Sequence, residues 1–506
     1  MTGGPLIGGI DAGTSRIRAI VFEPDGRVVA TDERPTPVTV LGEGSAEHDM
    51  DSIVSAAMEA LNGALAQLDN RRRVVSLAVA SFGEAGTLVD GKGRPLCEVI
   101  AWYDTRTAGE LTELNEWIDA RSLHAVTGLC PDPTFTLLKL LWLKKHRAEA
   151  FGAAHCWLHI ADYLAFYLSG VMGTDTSLAS RTMALDLANG CWSNEILDAA
   201  GIRRSILAEL LPMGMKLATV RPELASRLGL DPACVVATGG HDHVAAAVAI
   251  AANRPGTLMD SMGTAEALSL AHTAPMLRPE VGQVGLNQGL IEVGGERSYY
   301  LFGGLPTSAG AIEWFRRSMT GGEDHAQLIA AARDVQPGSQ GVGFFPHLRL
   351  GSPPYPDPVA RGAFYGLGAD IGRAVLYRAV LEGVALDTAH ILHSMLRFYP
   401  RDSVGRIIAV GGSTRNDLLM EIKAALYNRP IEIAVMPEAV SLGAAMLGGM
   451  AAGVYASLGE AQAACRPLSR RVEPDPSLLW APREKLMMRY AHGYLLKREL
   501  CNSQTM

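Results

Sequence analysis

Apolar positions open the chain as a strand through Gly9 and Ile10, break at Asp11-Ala12-Gly13-Thr14-Ser15, and resume in alternation at Ile17, Ala19 and Val21. A Pro24-Asp25-Gly26 turn then precedes Val28-Val29-Ala30, so two strands are predicted to flank a short acidic loop. Between residues 51 and 68 the period changes. Ile53, Val54, Ala57, Leu61, Ala64, Leu65 and Leu68 share one helical face, and a β-branched run over residues 74–80 follows. Strand, helix, strand predicts a mixed α/β layer fold. Further strands are predicted over residues 234–238 and 406–410, both running straight into Gly-Gly. Strand ends that break into glycine are where α/β folds place ligands.

Small residues in the first loop let backbone N–H groups approach phosphate oxygens, and Thr14 adds a hydroxyl donor. Asp11 cannot meet a phosphate directly, because like charges repel; its carboxylate suits Mg²⁺ or a water bound to it. The same residues also make an ordinary structural hairpin. With 506 residues, two large domains are expected, and Asn253-Arg254-Pro255-Gly256 marks the boundary between 1–254 and 255–506. Just past it, residues 256–264 form a second strand-like run entering an Asp…Gly-Thr turn at Gly263-Thr264. This loose echo predicts a duplicated fold gripping one nucleotide from both sides.

At the end of the first half stands Gly239-Gly240-His241-Asp242-His243, followed by an apolar, small-residue helix over residues 244–252. A carboxylate at this junction can reach whatever lies between the halves, and Asp242 is the candidate base for taking a proton from an attacking hydroxyl. Two other readings stay open: Asp242 as a helix N-cap, and His241 with His243 as part of a metal site that lacks a recognisable third ligand cluster. In the second half, Gly411-Gly412-Ser413-Thr414-Arg415-Asn416 leads into a helix over residues 417–427, stopped by Asn428 and Pro430. Paired glycines there allow a flat ring to lie against the backbone, with Asn416 in hydrogen-bonding reach.

Composition narrows the classes. Hydrophobic residues make up 48% of the chain and charged residues 19%, and the net charge of −8 leaves no electrostatic footprint for nucleic acid. Seven cysteines stand singly with no Cys-x-x-Cys, which fits a reducing cytoplasm better than a disulfide framework. The first strand opens too near Met1 for a signal peptide. Residues 439–459 carry no charge, long enough for a membrane span, but are mostly Gly, Ala and Ser with a weak drive into lipid. The expectation is a buried helix packed closely through small residues, and no membrane partner.

Taken together, these motifs give a chain that resembles carbohydrate kinases of the FGGY family, within the superfamily of actin, chaperone and sugar-kinase ATPases. Thr134-Phe135-Thr136-Leu137-Leu138-Lys139-Leu140-Leu141-Trp142 resembles the family's first signature, with Thr134 as a departure. Gly362-Ala363-Phe364-Tyr365-Gly366-Leu367 through Arg378-Ala379-Val380-Leu381-Glu382 resembles the second, with Val375 where a polar residue is customary. The resemblance implies two ribonuclease-H-like, actin-like ATPase domains around a cleft, ATP with Mg²⁺, and transfer of the γ-phosphoryl to a sugar or polyol hydroxyl. The first domain would hold the sugar and the base, the second the nucleotide. By the same resemblance, Asp11 would be the metal-side acid, with Gly13, Thr14 and Arg18 near phosphates. Gly263 and Thr264 would form the second phosphate loop, Gly310, Gly411, Gly412 and Asn416 would lie beside the nucleotide, and Asp242 would be the catalytic base.

The family's sugar site is similar to two loops, Ser81-Phe82-Gly83-Glu84-Ala85-Gly86 and Trp102-Tyr103-Asp104-Thr105-Arg106. Trp102 can stack on a sugar's apolar face, while Glu84, Asp104 and Arg106, beside Asp242, can bond hydroxyls. The competing reading makes Trp102 core and Asp104 with Arg106 a structural ion pair. The look is nearest the L-fuculokinase and xylulokinase branches, so a ketose is expected, with a polyol of glycerol or erythritol type as the alternative. A non-catalytic nucleotide-binding sugar sensor would share the fold but would not need Asp242. The expected partners are a small sugar or polyol and, among proteins, a second copy of the chain as a homodimer.

Overall fold

The computed structural model describes residues 3–42, 44–400, 403–436 and 438–502. The first sheet contains β1 (Leu6–Ala12), β2 (Arg16–Phe22), β3 (Val28–Pro35), β4 (Val74–Ser81), β5 (Lys216–Thr219) and β6 (Val235–His241), in the spatial order β5-β6-β4-β1-β2-β3. β1, β4 and β6 run parallel, while β2 and β3 extend the sheet antiparallel from β1. The second sheet contains β7 (Thr257–Met262), β8 (Glu266–His272), β9 (Asn287–Val293), β10 (Glu296–Leu305), β11 (Arg406–Val410), β12 (Ile431–Val435) and β13 (Leu468–Val472), ordered β9-β10-β8-β7-β11-β12-β13. Here β7, β11 and β12 are parallel, and β8 and β10 extend antiparallel from β7. Each sheet thus repeats one plan, three antiparallel strands whose first is continued on its other side by two parallel strands. The chain is a mixed α/β protein built from two such lobes.

The helices follow from the same patterns. α1 (Met50–Ala66) buries Ile53, Val54, Ala57, Leu61, Ala64 and Leu65 as the periodicity predicts, and the Asp49 side chain caps it by accepting from the Ser52 N–H. It ends at Ala66, two residues before Leu68, with Gln67 as its C-cap. α2 (Thr136–His146) carries the run of leucines and α3 (Asp242–Ala249) starts directly at the end of β6. α4 (Ala309–Met319) and α5 (Asp417–Tyr427) belong to the second lobe; α5 matches the predicted span and ends on Asn428 in the left-handed conformation.

α6 (Ala439–Ala451) resolves the uncharged stretch of the sequence. It is buried, as expected, and ends well short of residue 459 near Gly453, whose φ is +75°. Among the described residues no helix is long and apolar enough to cross a membrane. α6 follows the second sheet in sequence but packs on the first sheet and crosses α3. Leu442, Ala445 and Met446 join Ile7, Ile20 and Phe22 of the first sheet and Met259 and Ile408 of the second in one buried cluster. The approach is backbone to backbone. A Cβ on Gly9 would strike the Ser441 carbonyl, and one on Gly443 would strike the Ala245 carbonyl.

That contact predicts a cost for any side chain at the crossing. Gly443→Val should destabilise the protein by about 2 kcal/mol or more, from overpacking against backbone. Gly459→Ala, which meets only the Ser457 Oγ at 3.8 Å, should leave stability within about 0.5 kcal/mol. Urea denaturation of the two variants beside the parent checks the difference.

Candidate active site

Strand register carries distant parts of the sequence to one edge. Ala12 of β1 pairs with Ser81 of β4, and Ser81 pairs with His241 of β6. The Gly13-Thr14 turn, the Gly83-Glu84 loop and Asp242 at the start of α3 therefore leave the first sheet side by side. In the second sheet Ser261 pairs with Val410, so Gly263-Thr264 and Gly411-Gly412 also emerge together. The N–H groups of Ser308 and Gly310 both donate to the Thr264 carbonyl at 3.0 Å, which brings the start of α4 to the same edge. Parallel strands placing loops at their carboxyl ends is the usual way such sheets form ligand clefts.

Between the lobes lies a cavity of about 440 Å³, lined from the first lobe by Thr14, Glu84, Trp102 and Asp242 and from the second by Gly263 and Phe302. Asp242 is the first residue of α3 and His241 holds the N-cap position, so the carboxylate is not the helix cap. Its Oδ1 accepts from the His243 N–H at 2.6 Å, and Nε2 of His241 lies 3.3 Å from the same oxygen. Burial pushes the carboxyl above the ordinary carboxylate range, against the pull of His243 and Arg181. Burial also pushes the His241 imidazole well below its usual value, so it is neutral at pH 7.

Glu84 sits in the left-handed backbone region at φ +61°, and its Oε1 accepts from Arg181 Nε at 2.6 Å. Arg181 in turn packs over the Phe135 ring, 5.0 Å from its centroid. Trp102 is 38% exposed, which leaves a face available to a ligand, while its Nε1 donates to Thr14 Oγ1 at 3.0 Å. The residue expected on the phosphate side and the residue expected on the sugar side thus touch. Burial, reinforced by the charge of Asp242, pushes the Asp11 carboxyl up to about 7. Arg18 stands among three acids, 4.0 Å from Asp11 and 3.8 Å from Glu438, with Nε donating to Glu33 at 3.2 Å.

Asp104 and Arg106 do not join them. Asp104 is fully buried; its Oδ2 accepts from the Ala46 N–H at 2.8 Å, and both its oxygens face Arg106, which also reaches Glu47 at 2.5 Å. The expectation that this pair bonds sugar hydroxyls is corrected on that ground. Neither side chain lines the cavity, and the pair holds the Trp102 loop to the strands over residues 39–42 and 45–48. Asn416 is partly consumed too, since its Oδ1 caps α5 by accepting from Leu419 N–H at 3.1 Å. Gly411, at φ +104°, is required by backbone packing, as a Cβ would strike the Met262 carbonyl; Gly412 faces open space.

Several residues at the site carry no sequence motif. Arg181 and the Tyr300 and Phe302 pair come from segments with ordinary patterning and reach the cavity only through the fold. Lys139, by contrast, lies inside the Thr134–Trp142 stretch that resembles the family's first signature, as a lysine in a leucine run where a buried ammonium is unusual. Beneath the Gly263-Thr264 turn, Lys423 is fully buried between Asp260, at 2.5 Å, and Glu266. Ser308 Oγ donates to Glu266 Oε2 at 2.6 Å, and Tyr427 donates to Asp260 at 3.1 Å. Burial and the Asp260 charge push Glu266 up to about 8, while the two carboxylates hold Lys423 firmly protonated. Glu266 and Ser308 flank the Gly263-Thr264 turn, so this cluster fixes the loop from below.

Two lobes of one plan, with glycine turns on one side of a cleft and an acid on the other, form the architecture of a phosphotransferase. Residues 6–249 match the FGGY family of carbohydrate kinases, N-terminal domain, and residues 258–452 match its C-terminal domain. The chain belongs to the FGGY family of carbohydrate kinases and is an ATP-dependent enzyme acting on a hydroxyl of a sugar or polyol. It is 31% identical over 461 residues to a glycerol kinase of Methylobacterium nodulans, covering 89% of this chain and 90% of that protein. An L-fuculokinase of Escherichia coli is 28% identical over 460 residues, covering 90% and 94%. The crystal structure of xylulose kinase from Rhodospirillum rubrum superposes with a TM-score of 0.89 at 26% identity, covering 98% of this chain and 100% of that one.

The buried cluster predicts that Lys423→Met, which strands the Asp260 carboxylate and leaves Glu266 without its donor, costs about 3–5 kcal/mol of stability. Adding Asp260→Asn and Glu266→Gln should recover much of that loss, because the uncompensated charge is removed. Chemical denaturation of the single and triple variants reads both effects.

Proposed function

We propose that this chain phosphorylates a ketose such as xylulose or fuculose, with Asp242 as the catalytic base. The observation that carries the reading is the single cavity onto which Asp242, Glu84 and the exposed face of Trp102 open from one lobe and Gly263 from the other. The chain divides at 254/255, with the acceptor and the base on the first domain and the nucleotide on the second. A ring or open-chain sugar lies against Trp102 and bonds Glu84, and its hydroxyl faces Asp242. As the hydroxyl oxygen bonds to the γ-phosphorus, its proton passes to Asp242 and the bond to the β-phosphate oxygen breaks, releasing ADP. The hydrogen bond from the His243 N–H to Oδ1, with His241 Nε2 3.3 Å from the same oxygen, leaves Oδ2 as the oxygen that accepts this proton.

On the nucleotide side, Gly13, Thr14 and Arg18 meet phosphates from the first lobe, and Gly263 and Thr264 from the second. Gly310, Gly412 and the remaining amide of Asn416 border the base and ribose. Asp11 fits Mg²⁺ by its chemistry: it is an oxygen donor whose pKa is raised first by burial and then by the charges of Asp242 and Glu438, charges that a cation would offset. When bound, Mg²⁺ supplies charge neutralisation for the transferring phosphoryl group. Closing the lobes excludes water, which limits hydrolysis of ATP without an acceptor. The enzyme works in the cytoplasm, a compartment that suits seven cysteines with no Cys-x-x-Cys spacing. A polyol is the second reading, favoured by the 31% identity to a glycerol kinase.

Asp242→Asn should lower kcat by at least about 10²–10⁴-fold while leaving ADP affinity within about twofold, since the shape is kept and the proton acceptor is lost. Coupled kinetics and calorimetry measure the two quantities, and equal loss of nucleotide affinity would contradict the role. Because the base must be ionised, kcat/KM of the parent should fall as pH drops through a pKa above the ordinary aspartate value of 3.8. An ADP-release screen across ketoses, aldoses and polyols, with product analysis, tests the acceptor. Turnover confined to glycerol or erythritol would replace the ketose reading with the polyol one.

A further inference from the structure

The Glu84 loop and the Trp102 loop form two sides of the acceptor pocket, yet they belong to separate stretches of chain. Between them stands Lys139, in the middle of α2 and fully buried. Its Nζ donates to the Glu84 carbonyl at 3.2 Å and to the Trp102 carbonyl at 3.5 Å. Thr136, three residues earlier on α2, donates its hydroxyl to the same Glu84 carbonyl at 3.2 Å. We propose that Lys139 is a positioning residue of the acceptor site, stapling the Glu84 and Trp102 loops to α2 and setting the distance between the two sides of the pocket. The inference rests on the reading that these loops hold the acceptor.

The chemistry of the position favours this over a role in packing. Leu137, Leu138, Leu140, Leu141 and Leu143 are all buried on the same helix, so a further leucine or methionine at 139 would serve the core at lower cost. An ammonium there needs partners, and its hydrogen bonds go to two backbone carbonyls. One carbonyl belongs to Glu84, whose left-handed backbone is unfavourable for a residue with a side chain and persists only where its surroundings hold it. Burial pushes the ammonium down to about 8, so it stays mainly charged at pH 7. Glu84, Asp104 and Asp132 draw the charge and Arg106 opposes it. Asp104 and Arg106, displaced from the sugar site, thereby gain a role: they fix the Trp102 loop on its far side while Lys139 fixes it from beneath.

The test compares Lys139→Met with the parent by hydrogen exchange and by kinetics. Without acceptor, backbone exchange over residues 82–86 and 101–106 should rise about tenfold or more, while residues 411–416 on the nucleotide side stay unchanged. With D-xylulose and L-fuculose as probes, KM for the accepted ketose should rise about tenfold or more, with KM for ATP and kcat within about threefold. Thr136→Val should move the same quantities by about threefold, and it carries both readouts should Lys139→Met fail to fold. A parent that phosphorylates neither ketose overturns the substrate reading, and the exchange result still judges the staple. Unchanged exchange in both loops, or a KM for ATP that rises as much as that for sugar, overturns the proposal.

Discussion

Backbone meeting backbone at the crossing of α6 with β1 and α3 is the contact on which the two-lobed arrangement rests. Gly9 and Gly443 permit it, because the carbonyls of Ser441 and Ala245 stand where their side chains would be. With the chain axes so close, Leu442 and Met446 can share one core with Ile7 of the first sheet and Met259 of the second. The lobes are therefore joined at their base while their loop-bearing edges stay apart, and the space left between those edges is the cleft. α3 is both a partner in the crossing and the element that begins with Asp242, so the joint and the base are parts of one helix.

Around this joint, polar groups are spent on holding loops. Lys423 braces the Gly263-Thr264 turn through Glu266 and Ser308. Arg106 and Asp104 brace the Trp102 loop, and Lys139 ties that loop to the Glu84 loop. Each brace is buried, where a hydrogen bond to a charged group is strong and an unpaired charge is costly. The groups facing the cavity include the Asp242 carboxylate, the Glu84–Arg181 ion pair, His241, His243, the Tyr300 ring and the Trp102 indole.

Local pattern made much of the fold legible. The alternation after Asp11, the 3.6-residue face of α1 and the strand at 406–410 depend on neighbours in sequence and stand where the pattern puts them, while the strand expected over 234–238 starts at Val235 and runs on through the glycines to His241. The small-residue composition of α6 likewise announced close packing. What stayed hidden depends on partners far away in the chain. Asp104 and Arg106 were legible as polar residues beside Trp102, but their turn toward Glu47 is set by the strand over residues 45–48. Arg181 reaches Glu84 across 97 positions, and no local spacing encodes that meeting. Asn416 carries both a capping signal and a ligand signal, and the structure shows the cap formed.

The account's central claim is that an alcohol on the first lobe and a nucleotide on the second meet at Asp242. A crystal structure with ADP, Mg²⁺ and an accepted sugar bound together examines it directly. The account predicts one sugar hydroxyl within about 3.2 Å of Asp242 Oδ2 and directed at the β-phosphate, with the sugar ring or chain against Trp102. A sugar seated elsewhere, or an Asp242 carboxylate turned from every hydroxyl with the nucleotide in place, would contradict it.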